Sequence, residues 1–336
     1  MTVRYLNGLL TMTVAAALFL VSPGATGVAL AADCTRTHTG RVPLNDLGTG
    51  TYMGKQGGLY PGGVNVRPAA HDQAGVALAT NEVVPRNAAG QSDPVNGKVV
   101  LLSIGMSNTT QEFQRFIQVA AGLPGRDPHL SIVDGAQGGQ DAVAWSSPTS
   151  PTWTVVAQRL AAAGVTAQQV QVVWLKQQIA GDALGTFPGG AQTLRDRLRD
   201  IVTIARSRYP NLRIAHLSSR SYGDYNGPER GKGAYEQGFA VKLLVANQIA
   251  GDSRLDYVGE DAVAPWLAWG PYLWADGLGA DDVPGGVPGR SDGLEWACSD
   301  YQNDGIHPSS SGKNKVAAAL IDFYTTDTTA APWFLS

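Results

Sequence analysis

Short apolar runs alternate with amphipathic stretches along the chain from residue 98 onward. Residues 98–104 are almost wholly apolar, as in a strand that is covered on both faces of a sheet. Residues 193–209 instead place Leu194, Leu198 and Ile201 on one side of a helix. The pattern predicts further strands at 129–133, 170–175, 213–217 and 257–258, and further helices after residue 109 and at 152–163, 233–249 and 312–324.

This alternation of strands and helices predicts an α/β domain with a mostly parallel sheet covered on both faces. The helix after the first strand is expected to begin near Thr109, which forms a capping box with Glu112. Ligands of open parallel sheets bind beyond the carboxyl ends of the strands. Side chains that follow each predicted strand are therefore the candidates for chemistry.

The N-terminal residues 1–31 have the features of a secretory signal peptide. Arg4 precedes an uncharged apolar stretch at 9–21, and small residues around Ala31 are typical of a cleavage site. A membrane anchor is the alternative, but Pro23 interrupts the apolar run short of the ~20 residues that a spanning helix needs. We therefore expect a secreted, extracellular protein without membrane attachment after cleavage.

Residues 32–96 are rich in Gly, Pro, Asn and Thr and show neither helical nor strand periodicity. We expect a loop-rich segment that packs on the domain formed by residues 97–336. The chain contains two cysteines, Cys34 and Cys298. In an oxidising compartment they are expected to form a disulfide, and two unpaired thiols are the alternative.

The composition argues against several classes of partner. Charged residues make up 16% of the chain, glycine occurs 41 times, and the net charge is -3. No basic cluster provides a footprint for nucleic acid, and no Lys/Arg-rich amphipathic stretch favours adsorption to a membrane. A small molecule or a polysaccharide is the expected partner, and the oligomeric state stays open.

Polar residues and glycines follow the first three predicted strands. Ser107 stands at a strand-to-helix turn, where backbone N–H groups and the helix dipole favour developing negative charge. The second strand is followed by the glycine cluster 135–139, and the third by an amide-rich stretch at 176–178. Each of these features is also common in ordinary turns and helix starts, so none of them alone assigns a function.

Asp304 and His307 stand three residues apart, shortly before the last predicted helix. Histidine is the commonest general base near neutral pH, and an aspartate can hold its other ring nitrogen. A metal site is the rival interpretation, but the other histidines show no ligand spacing. We therefore expect neither a metal nor a cofactor.

The joint order of these motifs resembles the SGNH/GDSL hydrolase superfamily over about residues 98–326. The resemblance implies a flavodoxin-like three-layer α/β/α sandwich with a mostly parallel sheet of about five strands. It also implies a Ser-His-Asp triad and an oxyanion hole formed by two backbone N–H groups and an asparagine. Transferred by position, Ser107 is the nucleophile and an oxyanion donor, His307 the base, Asp304 its orienting partner and Gly138 the glycine donor.

Two positions depart from that family's pattern. Met106 replaces the usual aspartate beside the nucleophile, and the stretch at 175–178 replaces Gly-x-Asn-Asp. Gln177 is the best-aligned amide for the third oxyanion donor, and Lys176 is the alternative donor.

Other side chains near the predicted active edge are candidate substrate contacts. Arg220 and Tyr222 follow the fourth strand, and Trp274 belongs to an aromatic stretch that precedes the Asp-His pair. Together with Lys176 they are weaker candidates. The alternative is that the aromatic residues pack a long loop onto the domain.

The resemblance implies a serine ester hydrolase that works through an acyl-enzyme. Export and the aromatic stretch favour removal of short acyl groups such as acetyl from carbohydrates, and a lipid or other acyl ester is the alternative within the same chemistry. An SGNH-fold protein that binds glycans without catalysis, or a structural surface protein, belongs to a different class. The retention of Ser107, Asp304 and His307 together favours the enzyme.

Overall fold

The computed structural model describes residues 31–181, 185–278 and 289–336. Residues 1–30 of the expected signal peptide lie outside this part of the chain. Within it, no helix combines the length and the apolar character that crossing a membrane requires.

The described elements alternate between strand and helix after residue 98. The strands are β1 (Thr51–Tyr52), β2 (Lys55–Gln56), β3 (Val99–Gly105), β4 (Leu130–Asp134), β5 (Val170–Lys176), β6 (Ile214–Leu217) and β7 (Trp266–Trp269). The helices are α1 (Leu44–Leu47), α2 (Ala69–Asn81), α3 (Ser107–Ala121), α4 (Ala142–Trp145), α5 (Pro151–Ala162), α6 (Gly189–Arg208), α7 (Pro228–Ile249), α8 (Ser310–Thr326) and α9 (Ala331–Phe334).

A five-stranded parallel sheet in the order β4-β3-β5-β6-β7 forms the centre of the fold. Strands β3, β5, β6 and β7 are buried along their whole length, as expected for apolar runs between two helical layers. The chain moves along the sheet in one direction from β3 to β4 and in the opposite direction from β5 to β6. Because crossovers between parallel strands are right-handed, α3 and α6 cover opposite faces of the sheet. The predicted flavodoxin-like α/β/α class is confirmed.

The fifth strand is not where the sequence predicts it. Tyr257 and Val258 lie outside any strand, and Val258 is exposed. The last strand is instead Trp266–Trp269, which pairs with β6 in a register that joins Leu217 to Trp269. The two tryptophans of this segment were interpreted as residues that pack a loop onto the domain. Aromatic residues also favour strands, which is the role they have here.

The predicted capping box at Thr109 is also wrong, because α3 begins at Ser107. Thr109 lies inside the helix, where its hydroxyl donates to the carbonyl of Lys176 at 2.8 Å. Glu112 is buried against the Lys176 ammonium and caps nothing. Ser107 therefore belongs to the first helical turn, whose N–H groups have no partner within the helix.

The segment before residue 97 is more regular than its composition predicts, because it contains the 13-residue helix α2. The His71 ring on this helix stacks on Trp266 of β7 with centroids 4.9 Å apart. The Trp266 indole in turn donates to the His71 carbonyl at 3.0 Å. Burial against the sheet stabilises a helix whose own sequence is only weakly amphipathic.

The first described residues are fastened to the later part of the chain. Cys34 and Cys298 form the predicted disulfide, with Cα atoms 5.4 Å apart. The Ala32 N–H donates to the Asn303 carbonyl at 2.7 Å. These contacts hold the start of the described chain beside the loop that carries Asp304 and His307.

Candidate active site

Ser107 lies at the carboxyl edge of the sheet, two residues beyond the end of β3. Gly105 is required there, because a Cβ at this position would lie 2.3 Å from Thr109 Oγ1 and 2.5 Å from the Lys176 carbonyl oxygen. The close approach lets the chain turn directly from strand to helix. The turn places the Ser107 side chain where the sheet and the first turn of α3 meet.

The structure brings Ser107, His307 and Asp304 into one hydrogen-bonded chain. His307 Nε2 lies 2.8 Å from Ser107 Oγ, and His307 Nδ1 lies 2.5 Å from Asp304 Oδ2. These are the distances that a serine nucleophile, its general base and an orienting carboxylate require.

The carboxylate of Asp304 is held in its ionised form. Burial acts to raise its pKa, but hydrogen bonds from the His307 ring and from the N–H groups of His307 and Ile306 lower the pKa below its ordinary value. Both N–H groups donate to Oδ1 at 2.9 Å. An ionised Asp304 can accept a hydrogen bond from Nδ1–H, an arrangement that leaves Nε2 as the acceptor for the Ser107 hydroxyl.

Asn108 connects the turn of Ser107 to the loop of His307. Its amide nitrogen donates to the Ile306 carbonyl at 2.6 Å, and the side chain is almost fully buried. The residue next to the serine thereby fixes the residue next to the histidine. This hydrogen bond between the two segments helps to keep Ser107 Oγ and His307 Nε2 close together.

Two backbone N–H groups beside Ser107 Oγ lack acceptors among the described residues. The first belongs to Ser107 itself, at the start of α3. The second belongs to Gly138, whose Cβ, if it had one, would lie 3.8 Å from Ser107 Cβ. Two backbone N–H groups close to Ser107 are therefore without an acceptor in the described part of the chain.

A cavity of about 360 Å³ opens beside this chain of side chains. Its wall includes Ser107, Gly139, Gln178, Arg220, Tyr222 and His307. Ser107 and His307 can therefore both contact a small molecule bound there.

The structure corrects the assignment of the third-strand amide. Gln177 does not line the cavity: its Nε2 donates to the Gln140 carbonyl at 3.0 Å and its Oε1 accepts from the Gln178 N–H at 3.0 Å. Gln178 does line the cavity, and its buried Oε1 has no partner in the described part of the chain. The free amide next to Ser107 is thus that of Gln178.

Lys176 is also removed from the substrate-binding candidates. Its ammonium is about 1% exposed and donates to both carboxylate oxygens of Glu112, at 2.6 Å to Oε1. Burial lowers the pKa of Lys176 to about 8, and the Glu112 carboxylate opposes that shift. The pair lies below the cavity wall and has no access to a ligand.

The remaining predicted contacts divide into two groups. Tyr222 and Arg220 line the cavity. The Tyr222 hydroxyl already donates to the Arg36 carbonyl at 2.6 Å, whereas the Arg220 guanidinium donates through Nη1 to Asn108 Oδ1 and is only partly hydrogen-bonded. Trp274 is fully buried and packs edge-on against Tyr235, so its assignment as a substrate contact is wrong.

Sequence reasoning missed the roles of Asn108, Gln178 and Glu112. Asn108 directly follows the candidate nucleophile, and Gln178 directly follows the chosen amide, so both were within reach of the motifs. Glu112 carried a different interpretation, as a helix cap. Strand alternation no longer applies beyond Lys176, the last residue of β5, so the direction of the next side chains could not be deduced from periodicity.

Comparison with known proteins finds solved structures at 12–15% identity and low TM-scores. No family model matches the chain, and no curated protein matches it. A structure from Slackia heliotrinireducens, described as an SGNH hydrolase, is similar over 68% of this chain and 99% of its own, with 15% identity and a TM-score of 0.31. A Bacteroides fragilis structure described as an acylhydrolase covers 79% of this chain and 100% of its own, with 12% identity and a TM-score of 0.36. A carbohydrate esterase of family 3 from Talaromyces cellulolyticus covers 66% and 94%, with 12% identity and a TM-score of 0.32.

Proposed function

We propose that this protein is a secreted serine ester hydrolase with Ser107 as nucleophile, His307 as general base and Asp304 as the residue that orients the histidine. The observation that carries the proposal is the hydrogen-bonded chain from Asp304 through His307 to Ser107 at the wall of a cavity. A protein that only binds glycans needs no such proton path beside its ligand. The geometry therefore favours an enzyme over a binding module.

The reaction proceeds in two acyl-transfer steps. His307 Nε2 accepts the hydroxyl proton of Ser107 as Oγ attacks the ester carbonyl, and the imidazolium then gives that proton to the leaving alcohol. In the second step His307 takes a proton from water as the water oxygen attacks the acyl carbonyl, and the imidazolium then returns the proton to Ser107 Oγ as the acid leaves. Asp304 stabilises the imidazolium in both steps.

The negative charge of each tetrahedral intermediate needs donors that are already in place. The N–H groups of Ser107 and Gly138 supply two of them, and the Gln178 amide supplies the third. Because none of the three is engaged with an acceptor among the described residues, no internal hydrogen bond has to break as the charge develops.

The acyl group is proposed to be short, such as acetyl, and the alcohol to be a carbohydrate. The cavity of about 360 Å³ supports the first part, because its volume is at the lower end of the range of ligand pockets. The aromatic stretch no longer supports the second part, since Trp266, Trp269 and Trp274 are buried in the core. An ester of a different small alcohol fits the same cavity.

Secretion is part of the proposal. A disulfide between residues separated by 264 positions persists in oxidising compartments and is rare in the cytosol. The N-terminal apolar stretch of the sequence is consistent with export.

Replacement of the nucleophile tests the proposal. Ser107→Ala should abolish hydrolysis of 4-nitrophenyl acetate while thermal unfolding stays close to that of wild type, because the side chain is only part-buried and, among the described residues, its hydroxyl forms a hydrogen bond with His307 only. A fluorophosphonate should label wild type at Ser107, as located by peptide mass spectrometry. Ser147→Ala is the control and should keep full activity, since this hydroxyl pairs with Thr149 at 3.2 Å and does not line the cavity. Undiminished activity of Ser107→Ala would refute the assignment.

A further inference from the structure

The cavity beside Ser107 carries charge of one sign. Arg220 and Arg230 both line it, whereas none of its described lining residues is an aspartate or a glutamate. Arg230 is exposed, and Arg220 lies deeper in the wall. A ligand in the cavity therefore meets two guanidinium groups.

Arg220 has little compensation for its charge from the protein. Its backbone N–H donates to Gln237 Oε1 at 2.7 Å, and its Nη1 donates to the neutral Asn108 Oδ1 at 3.3 Å. The guanidinium makes no other hydrogen bond to the described chain, and no described carboxylate oxygen lies within 4.0 Å of it. Several donor positions of this side chain are thus left for a ligand.

Two other arginines of low exposure, Arg67 and Arg290, are paired with carboxylates. Arg67 contacts Asp72 at 2.7 Å and Asp327 at 2.8 Å, and Arg290 contacts Asp292 at 2.5 Å. A cation that is shielded from water is costly unless a carboxylate faces it. Arg220 has no such carboxylate partner, and its guanidinium lines the cavity wall.

The nearest acidic group does not neutralise Arg220. Glu112 is fully buried and holds the Lys176 ammonium with both oxygens. Burial lowers the pKa of Arg220, Glu112 opposes this shift, and Arg230 adds to it. A guanidinium nevertheless stays protonated in proteins, so Lys176 and Arg220 together face a single carboxylate.

We infer that the ester substrate carries an anionic oxyacid group, a carboxylate or a phosphate, which binds to Arg220 inside the cavity with Arg230 at its exposed side. The inference rests on the proposed esterase function. The flat guanidinium fork matches two oxygens of such a group. Asn108 sets the distance, because it follows Ser107 directly and also holds the guanidinium. The anionic group therefore lies a few bonds from the ester that Ser107 attacks.

Matched esters test the inference. The first pair is 4-acetoxybenzoate and its methyl ester, which differ in one negative charge on the alcohol side. The second pair, mono-4-nitrophenyl terephthalate and its methyl ester, carries the charge on the acyl side. In all four the para position keeps the carboxyl group from attacking the ester itself. 4-Acetoxyphenyl phosphate is the arm that distinguishes phosphate from carboxylate.

The measured quantity is the ratio of kcat/KM for the anionic ester to that for its neutral partner, each divided by the ester's rate of alkaline hydrolysis. Wild type should favour the anionic member of at least one pair by about tenfold or more, as expected for a charge-assisted hydrogen bond. Arg220→Gln should bring that ratio close to one, and Arg220→Lys should retain part of it. Arg195→Gln is the control, because Arg195 on α6 pairs with Asp196 and does not line the cavity.

The outcomes separate this inference from the proposed function. Hydrolysis without an anionic preference, or a preference that survives in Arg220→Gln, overturns the inference and leaves the esterase standing. If no ester is cleaved but a fluorophosphonate still labels Ser107, 4-hydroxybenzoate should slow the labelling more than its methyl ester does, and equal slowing overturns the inference. Absence of both hydrolysis and labelling overturns the proposed function.

Discussion

At the scale of single residues, the two glutamines after β5 have opposite roles. The Gln177 amide forms hydrogen bonds with the Gln140 carbonyl and the Gln178 N–H, and so holds two loops together. Gln178 keeps an uncommitted amide in the cavity wall beside Ser107. Because amide oxygen and nitrogen exchange places by a half rotation, the nitrogen can face the oxyanion.

Gln178→Ala should therefore lower kcat on 4-nitrophenyl acetate by about a hundredfold, the usual loss when one oxyanion donor is removed. KM should change little, because the contact strengthens only as negative charge develops. Steady-state kinetics measure both constants.

The comparison with Gln177 makes that test selective. Gln177→Ala should lower the unfolding temperature, because its amide bridges two loops, with a smaller loss of kcat per folded molecule. The reverse ranking of the two kcat values would return the donor role to Gln177.

The buried Lys176–Glu112 pair gives a second prediction at this scale. Lys176→Met should cost about 3–5 kcal/mol of unfolding free energy, because it leaves the Glu112 carboxylate buried without a partner. The double variant Lys176→Met/Glu112→Leu should recover most of this loss, since it removes both charges. Urea unfolding followed by far-UV circular dichroism measures the difference. Wild-type stability of the single variant would show that water reaches the pair.

At the scale of elements, α2 packs closely on β7 because a glycine of α2 faces a tryptophan of β7. Gly75 faces the Trp266 ring, and a Cβ there would lie 2.3 Å from its Cζ2 atom. Glycine is an unfavourable residue inside a helix, so its own helix propensity opposes its presence. Close packing of the helix on the indole outweighs that cost.

Gly75→Ala should thus destabilise the protein by about 1–3 kcal/mol, as overpacking does, even though alanine favours the helix. Thr80→Ala on the exposed side of α2 is the control and should leave stability equal or slightly higher. The unfolding temperatures of the two variants show whether close packing on Trp266 or helix propensity has the larger effect on stability. A gain in unfolding temperature for Gly75→Ala would contradict the tight contact.

The same scale shows what could be predicted from the sequence. Strands β3 and β5 are mostly apolar and rich in Val and Leu, so their burial on both faces follows from composition. Strand β7 was missed because Trp266 and Trp269 favour loop packing as readily as a strand. Ser107, Asp304 and His307 were singled out by their order along the chain, and the structure places them in one hydrogen-bonded chain. The directions of Gln177, Gln178 and Trp274 depend on the turns that follow their strands, which no periodicity encodes.

At the scale of the whole molecule, the start of the described chain is held by distant residues. Asp33 donates its N–H to the Tyr225 carbonyl at 2.8 Å, and Thr39 donates its N–H to Asp276 Oδ1 at 2.8 Å. The disulfide between Cys34 and Cys298 closes the same region covalently. None of these links is local in sequence.

Thiol titration of the denatured, unreduced protein should therefore find no free cysteine. The double variant Cys34→Ala/Cys298→Ala should lose about 3–5 kcal/mol of stability, because the bridge closes a very long loop in the unfolded chain. A reducing agent should lower the stability of wild type to that of the double variant and leave the double variant unchanged. Two titratable thiols in the unreduced protein would contradict the pairing.

The fastening of the first residues has a consequence for biogenesis. Residues 31–39 leave the ribosome early, yet the groups that hold them lie between residues 222 and 303 and are made much later. Until then Cys34 has no native partner, and the early segment stays available to foldases and proteases. A nascent chain stopped before residue 298 should consequently keep its N-terminal end open to proteolysis, and synthesis of the final fifth of the polypeptide should be the step that protects it.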